Sequence, residues 1–340
     1  MTTTDLPPDV AGGTTARPRR QISPGMRDNL RVTTPLLLIV VLLAIVTSLY
    51  NPAFLTGSNI GRLLAANAVL GVLVVGQTLL LVGGQLDLSV GSLVSMVGVL
   101  AASIALTGVP AVVVTLICLG LGALIGLTWG AIVAFLRVPP FILTLGGLAV
   151  FASLALTLAA STPIPVPTQL SWVRTEILGV RLAVLIWVVV LILGVVVLHY
   201  TRFGRNVYAI GSNEEAAYLS GVATARVKLT LFAMNGGLAA LAGLLFAGRV
   251  GAGDPRGGVG LELTVIAAAV LGGASLSGGR GSMIGGLLGV LVVAMVTDSL
   301  SFLDVPDTYN QLVLGVILIG AVAMTAVSEL RRRRASRRTG

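Results

Sequence analysis

The chain has 340 residues, 56% of them hydrophobic and only 10% charged, with a mean hydropathy of +1.01. So few charges cannot cover the surface of a soluble domain this size, which excludes a soluble globular protein. The net charge of +9 sits at the ends of apolar segments, not in a patch interleaved with stacking aromatics, so no nucleic-acid partner is expected.

Residues 1–33 are polar and rich in Thr, Pro and Arg, and read as a disordered cytoplasmic tail. No cleavable signal precedes the first apolar run, Pro35 to Tyr50. It reads as a signal-anchor whose start is held in the cytoplasm by Arg17, Arg19, Arg20, Arg27 and Arg31. A spanning helix needs roughly 20 apolar residues. Spans are expected at 34–50, 60–82, 88–107, 109–136, 141–160, 182–199, 229–248, 261–274, 283–302 and 312–327, which makes an all-α polytopic membrane protein of about ten transmembrane helices. The transmembrane domain then covers 34–328, and 329–340 form a basic cytoplasmic tail that attracts anionic lipid.

Ten spans put both termini on one side. That assignment leaves 17 of the 22 Lys and Arg residues on the cytoplasmic side and 5 outside (Arg62, Arg174, Arg181, Arg249 and Arg256), the bias expected of an inner-membrane protein. The longest outer loop, Ser161 to Arg181, carries Pro163, Pro165 and Pro167 and is expected to be a stiff, extended segment.

Residues that do chemistry are scarce. Cys118 is the only cysteine and lies inside a span, so neither a disulfide framework nor a thiolate metal site is expected. The lone histidine, His199, reads as a packed residue at a membrane edge. No catalytic constellation or cofactor site is visible. A phosphate-cradling Gly-Lys-Ser/Thr loop is absent, because the one lysine, Lys228, lies between Val227 and Leu229. Energy for uphill work must then come from a partner or an ion gradient.

Burying a charge inside a membrane costs about 2.5–3.5 kcal/mol, so Asp87 stands out in Gly83 to Ser92, GGQLDLSVGS. Gly83 and Gly84 break the second span, and Asp87 or Ser89 can cap the third. One reading is a capped helix start at the cytoplasmic interface; the other is a break that lines or gates a passage. The amides Asn67, Gln77 and Gln85 could bond a polar solute there, or simply bond between helices. Asp298 and Glu262 lie near outer span ends. A second Gly-rich break, Leu271 to Ser282, echoes the first with a Gly pair followed by Leu-Ser, and broken helices in two halves of a chain are typical of transport pathways.

Thr201 to Lys228 is a polar island walled by apolar segments. Ser212 and Asn213 can cap a short helix there, Glu214 and Glu215 suit its positive end, and Gly221 can stop it. Small Ala216 and Ala217 would allow close approach of a partner, and the two glutamates could meet basic groups on it.

Four stretches together resemble the permease subunits of the ribose-type (carbohydrate uptake) ABC importers: Gly83 to Ser92, Pro139 to Gly146 (PPFILTLG), Thr201 to Gly221, and Ile266 to Gly281 (IAAAVLGGASLSGGRG). Their order covers the chain from about the first span to the last. The sequence departs from the family in one place. Both Gln85 and Leu86 stand between the Gly pair and Asp87, where the family has a single isoleucine. The resemblance implies ten helices per subunit, two permease copies forming the path, two cytoplasmic ABC ATPases below, and an extracytoplasmic binding protein delivering a small polar solute such as a ribose-like sugar. It also implies that the helix at Ser212, Asn213, Glu214, Glu215, Ala216, Ala217 and Gly221 fits a cleft on the ATPase. Pathway candidates are Asn67, Gln77, Gln85, Asp87 and Ser89. The competing readings are a stand-alone ion-coupled transporter, or a permease of the same family carrying nucleosides or another solute.

Overall fold

In the computed structural model, residues 24–303 and isolated positions between 305 and 320 are described. The described residues are mostly helical. The long apolar helices are α1 (Pro24–Tyr50), α2 (Gly57–Val82), α3 (Val90–Leu106), α4 (Ala111–Phe135), α5 (Pro140–Leu158) and α6 (Leu182–Val195), with a π turn continuing α6 over Val196–Tyr200. Two short helices, α7 (Arg202–Ser212) and α8 (Glu214–Leu219), precede α9 (Thr224–Val250), α10 (Leu261–Leu271) and α11 (Met283–Phe302). Among the described residues, six helices are long and apolar enough to cross a membrane: α2, α4, α5, α6 with its π turn, α9 and α11. Three further apolar stretches, Thr34–Tyr50, Val90–Leu106 and Leu261–Leu271, are shorter. Most of the expected tenth span, most of the N-terminal tail and the arginine tail lie outside the described residues.

Nine expected spans thus coincide with helices, with shifted ends. α1 begins ten residues ahead of the span expected at 34–50, and α9 begins at Thr224 instead of at 229. Polar first turns of a helix carry no hydropathy signal, so a window of apolar residues starts too late. α10 stops at Leu271, three residues early, because Gly272 and Gly273 end it.

The central helix is α9, packed between α4, α3 and α2. α4 approaches it through Gly122, Gly126 and Gly130, one face at a four-residue spacing. A Cβ on Gly126 would run into the Phe232 carbonyl, and one on Gly122 into the Gly236 carbonyl. Lipid gives apolar faces no reason to associate, so close backbone contact of this kind supplies the packing. α2 meets α9 through glycines that seat side chains of α9. Gly76 faces Asn235, and Gly83 faces Leu231.

At the end of the bundle away from α8, the expected extended loop is instead folded. Ile164–Pro165 pairs antiparallel with Ala252–Gly253, residues 168–174 form a 3₁₀ turn, and Glu176–Ile177 and Val180–Arg181 make a hairpin. Leu170 and Val173 are buried against Gly248, and Arg174 Nε donates to the Gly248 carbonyl at 2.9 Å. The prolines limit backbone pairing, but two apolar side chains have a surface to cover, and burial wins. Asn59 Nδ2 bonds Asp298 at 2.9 Å at the same end, tying α2 to α11.

Candidate functional site

Both Gly-rich breaks are built alike. α2 ends with Gly83 and then Gly84 at φ +70, with Gln85 N bonding Leu80 O and Gly84 N bonding Leu81 O. α10 ends with Gly272 and then Gly273 at φ +89, with Ala274 N bonding Ala269 O and Gly273 N bonding Val270 O. These are two Schellman caps, and the echo between the motifs is the Gly that each needs in the left-handed region.

After Gly84 the chain turns back among the helices. Asp87 Oδ1 accepts from Ser89 N at 2.8 Å and Ser89 Oγ at 2.6 Å. Its Oδ2 accepts from Asn235 Nδ2 at 2.9 Å, and Trp129 Nε1 donates to Ser89 Oγ at 3.2 Å. Asp87 is 1% exposed, and its partner Asn235 lies eleven residues past the start of α9, roughly 16 Å along that helix at 1.5 Å per residue. Of the two readings of this break, a start of α3 capped by a side chain does not form. Ser89 occupies the cap position but makes no side-chain cap bond; Asp87 instead pins the break to α9. Burial without partners would be costly, and the four groups satisfy one another.

The other pathway candidates differ. Gln77 is fully buried and neither polar atom of its amide has a protein partner; the same holds for the Thr78 hydroxyl and Gln85 Oε1. Asn67 is half-buried and donates to Leu63 O in its own helix at 2.9 Å.

In the polar island, Thr201 caps α7 by accepting from Gly204 N at 3.1 Å. Ser212 is the last residue of α7 and donates to Tyr208 O at 2.8 Å, so it does not cap α8. That role belongs to Asn213, whose extended backbone lets Oδ1 accept from Ala216 N at 2.9 Å. Gly221, at φ +85, ends α8 in a third Schellman cap through Val222 N to Ala217 O. Ala217 is buried, while Ala216, Tyr218 and Leu219 are exposed. Of the two glutamates, Glu214 is engaged by the buried Lys228 Nζ at 2.6 Å, leaving Glu215 exposed.

The three pieces converge. Gly279 N donates to Val82 O at 2.8 Å, joining the second break to the last turn of α2. Gly211 of α7 lies against both, and Tyr208 Oη donates to Gly281 O at 2.7 Å. Burial pushes the Tyr208 phenol up to about 12, so it stays a donor at physiological pH. Sequence reasoning missed Gly211, Tyr208, Trp129, Asn235 and the Lys228 bond. Only Asn235 carried a signal, as the lone amide inside a 27-residue span. Among the described residues, no group of three or more His, Cys, Asp or Glu could hold a metal.

The family model for the branched-chain amino acid transport system permease component matches residues 59–322. The probable ABC transporter permease protein YphD of Escherichia coli K12 is 38% identical over 304 residues, covering 89% of this chain and 92% of that protein. The ribose import permease protein RbsC of the same strain is 37% identical, covering 84% of this chain and 91% of that protein. The xylose transport system permease protein XylH of Haemophilus influenzae is 32% identical, covering 86% and 96%. No solved structure gives a significant match. Relatives of this kind disfavour the stand-alone ion-coupled reading. A bundle of apolar helices, two matched breaks and a polar knob beside them thus have their place: the chain belongs to the ribose-type carbohydrate permeases of the ABC importers.

Proposed function

We propose that the chain is the membrane permease subunit of an ATP-driven importer for a ribose-like monosaccharide. Support for the solute comes from the ribose and xylose permeases it resembles. Ten spans with both termini in the cytoplasm place α8 on the cytoplasmic side, where it docks into a cleft of an ABC ATPase. The chain has no nucleotide site of its own; the ATPase supplies the energy. Two copies of the chain form the path in the inner membrane, surrounded by lipid, and an extracytoplasmic binding protein delivers the solute.

Gln77, Gln85, Asp87, Ser89 and Asn67 line the path. The observation that carries Gln77 and Gln85 is the set of sealed amide and hydroxyl atoms at Gln77, Thr78 and Gln85; Asn67, Asp87 and Ser89 have protein partners and join the path only by their place on α2 and the first break. A buried polar atom without a partner costs about 1–3 kcal/mol, and a state in which these atoms meet water or sugar hydroxyls recovers that cost. Alternating access supplies such a state.

Reconstitution tests the whole reading. Vesicles holding the chain, its ATPase and the binding protein should accumulate ribose or xylose only with internal ATP. Accumulation by the chain alone, driven by a proton or sodium gradient, would overturn it.

A further inference from the structure

We infer that Gly211 is the point at which movement of α8 reaches both breaks, by direct backbone contact and without an intervening side chain. The inference rests on the proposed docking of α8.

Gly211 lies two residues before Asn213, the cap of α8, and inside the last turn of α7. A Cβ there would run into the Val82 carbonyl and lie 2.6 Å from Gly279 N, the two atoms that bond the breaks to each other. The contacts are mutual. A Cβ on Gly278 would press on Gly211 O and on Gly84 Cα, and one on Gly279 would press on Ser212. Gly84, Gly278 and Gly279 also hold positive φ values of +70, +83 and +73. Four glycines from three distant parts of the chain therefore form one junction of bare backbone. Tyr208, on the same helix, holds the second break again through Gly281 O at 2.7 Å.

Side chains yield by changing rotamer; backbone in contact with backbone has no such freedom. Displacement of α7 must displace the end of α2 and the loop before α11 together. Past the first break, Asp87 is held on α9 through Asn235. The junction thus converts one push into movement of two broken helices, which a single flexible contact could not do. Gly211 is a positioning residue and touches no solute.

The test uses the full complex of permease, ATPase and binding protein, with a reporter cysteine at the buried Gln85 in a Cys118→Ala background. Trapping the ATPase with ATP and vanadate should change the rate of maleimide labelling at Gln85→Cys by about ten-fold, and adding Gly211→Ala should reduce that change to about two-fold or less. ATPase co-purification and hydrolysis should persist, because α8 is untouched. Gly120→Ala, at a position where a Cβ meets nothing, should leave labelling unaltered. If Gly211→Ala fails to insert, Tyr208→Phe decides: it removes the side-chain bond to Gly281 O, keeps every backbone contact, and should leave the labelling change within about two-fold of the parent complex. A full labelling response in Gly211→Ala, or a labelling change cut to about two-fold or less in Tyr208→Phe when that variant decides, overturns the inference. So does a reporter that ignores nucleotide in the otherwise intact complex. Loss of ATPase co-purification in the intact complex would instead overturn the docking of α8.

Discussion

Lys228 Nζ lies 2.6 Å from Glu214 Oε1, so the first residue of α8 is tied to the first turns of α9. The lysine side chain is 11% exposed and the glutamate 47%, so the bond is partly shielded from water and salt. It anchors the exposed knob on the helix that also holds Asp87.

Reversing one charge should therefore loosen the knob. Glu214→Lys places two cations together, and we expect a loss of about 1–2 kcal/mol in stability. The swapped pair, Glu214→Lys with Lys228→Glu, should recover at least half of it. Unfolding in detergent checks the stability, and ATPase pull-down checks docking. Glu215→Lys should weaken pull-down without a stability loss, since Glu215 is exposed.

The polar network around Asp87 predicts an order of effects. Asn235→Leu removes a bond to a buried carboxylate and should cost about 1.5–3 kcal/mol. Trp129→Phe removes only the longer bond at 3.2 Å and should cost about 1 kcal/mol or less. Chemical denaturation of the purified permease separates the two. Equal losses would show that the network is not centred on Asp87.

Two glycines of α4 should respond with opposite signs. Gly126→Ala drives a methyl into the Phe232 carbonyl and should destabilise by about 2–3 kcal/mol. Gly120→Ala meets nothing and should stabilise by about 0.5–1 kcal/mol through helix propensity. Thermal unfolding of both variants in the same detergent is the measurement.

Gly221 isolates backbone strain from crowding. Its φ is +85 and a Cβ would find open space, so Gly221→Ala should cost about 1 kcal/mol from conformation alone. If that cost falls on the cap of α8, ATPase affinity should drop by about five-fold in a titration, with permease stability little changed. Gly221→Asn, a residue that enters this region more easily, should recover part of it.

Much of the bundle was legible because membrane solvation imposes one pattern: every span must bury its backbone in a helix and cover it with apolar side chains. The polar knob was legible for the converse reason. Asn213 and Gly221 are local signals whose partners lie within a few residues. Ser212 was misread because a hydroxyl can bond back to its own helix as readily as cap the next, and sequence does not rank the two. The Pro-rich loop was misread because its fold depends on Leu170 and Val173 finding Gly248.

From its residues alone, this chain determined that it is a helical membrane protein with two glycine breaks and one capped polar helix, since hydropathy and capping act over a few turns. Only the tertiary structure decided that Asp87 meets Asn235, that Glu214 is held by Lys228, and that the two breaks touch at Gly211. Those contacts join segments up to about two hundred residues apart. They depend on where glycine lets backbones approach, which periodicity does not encode.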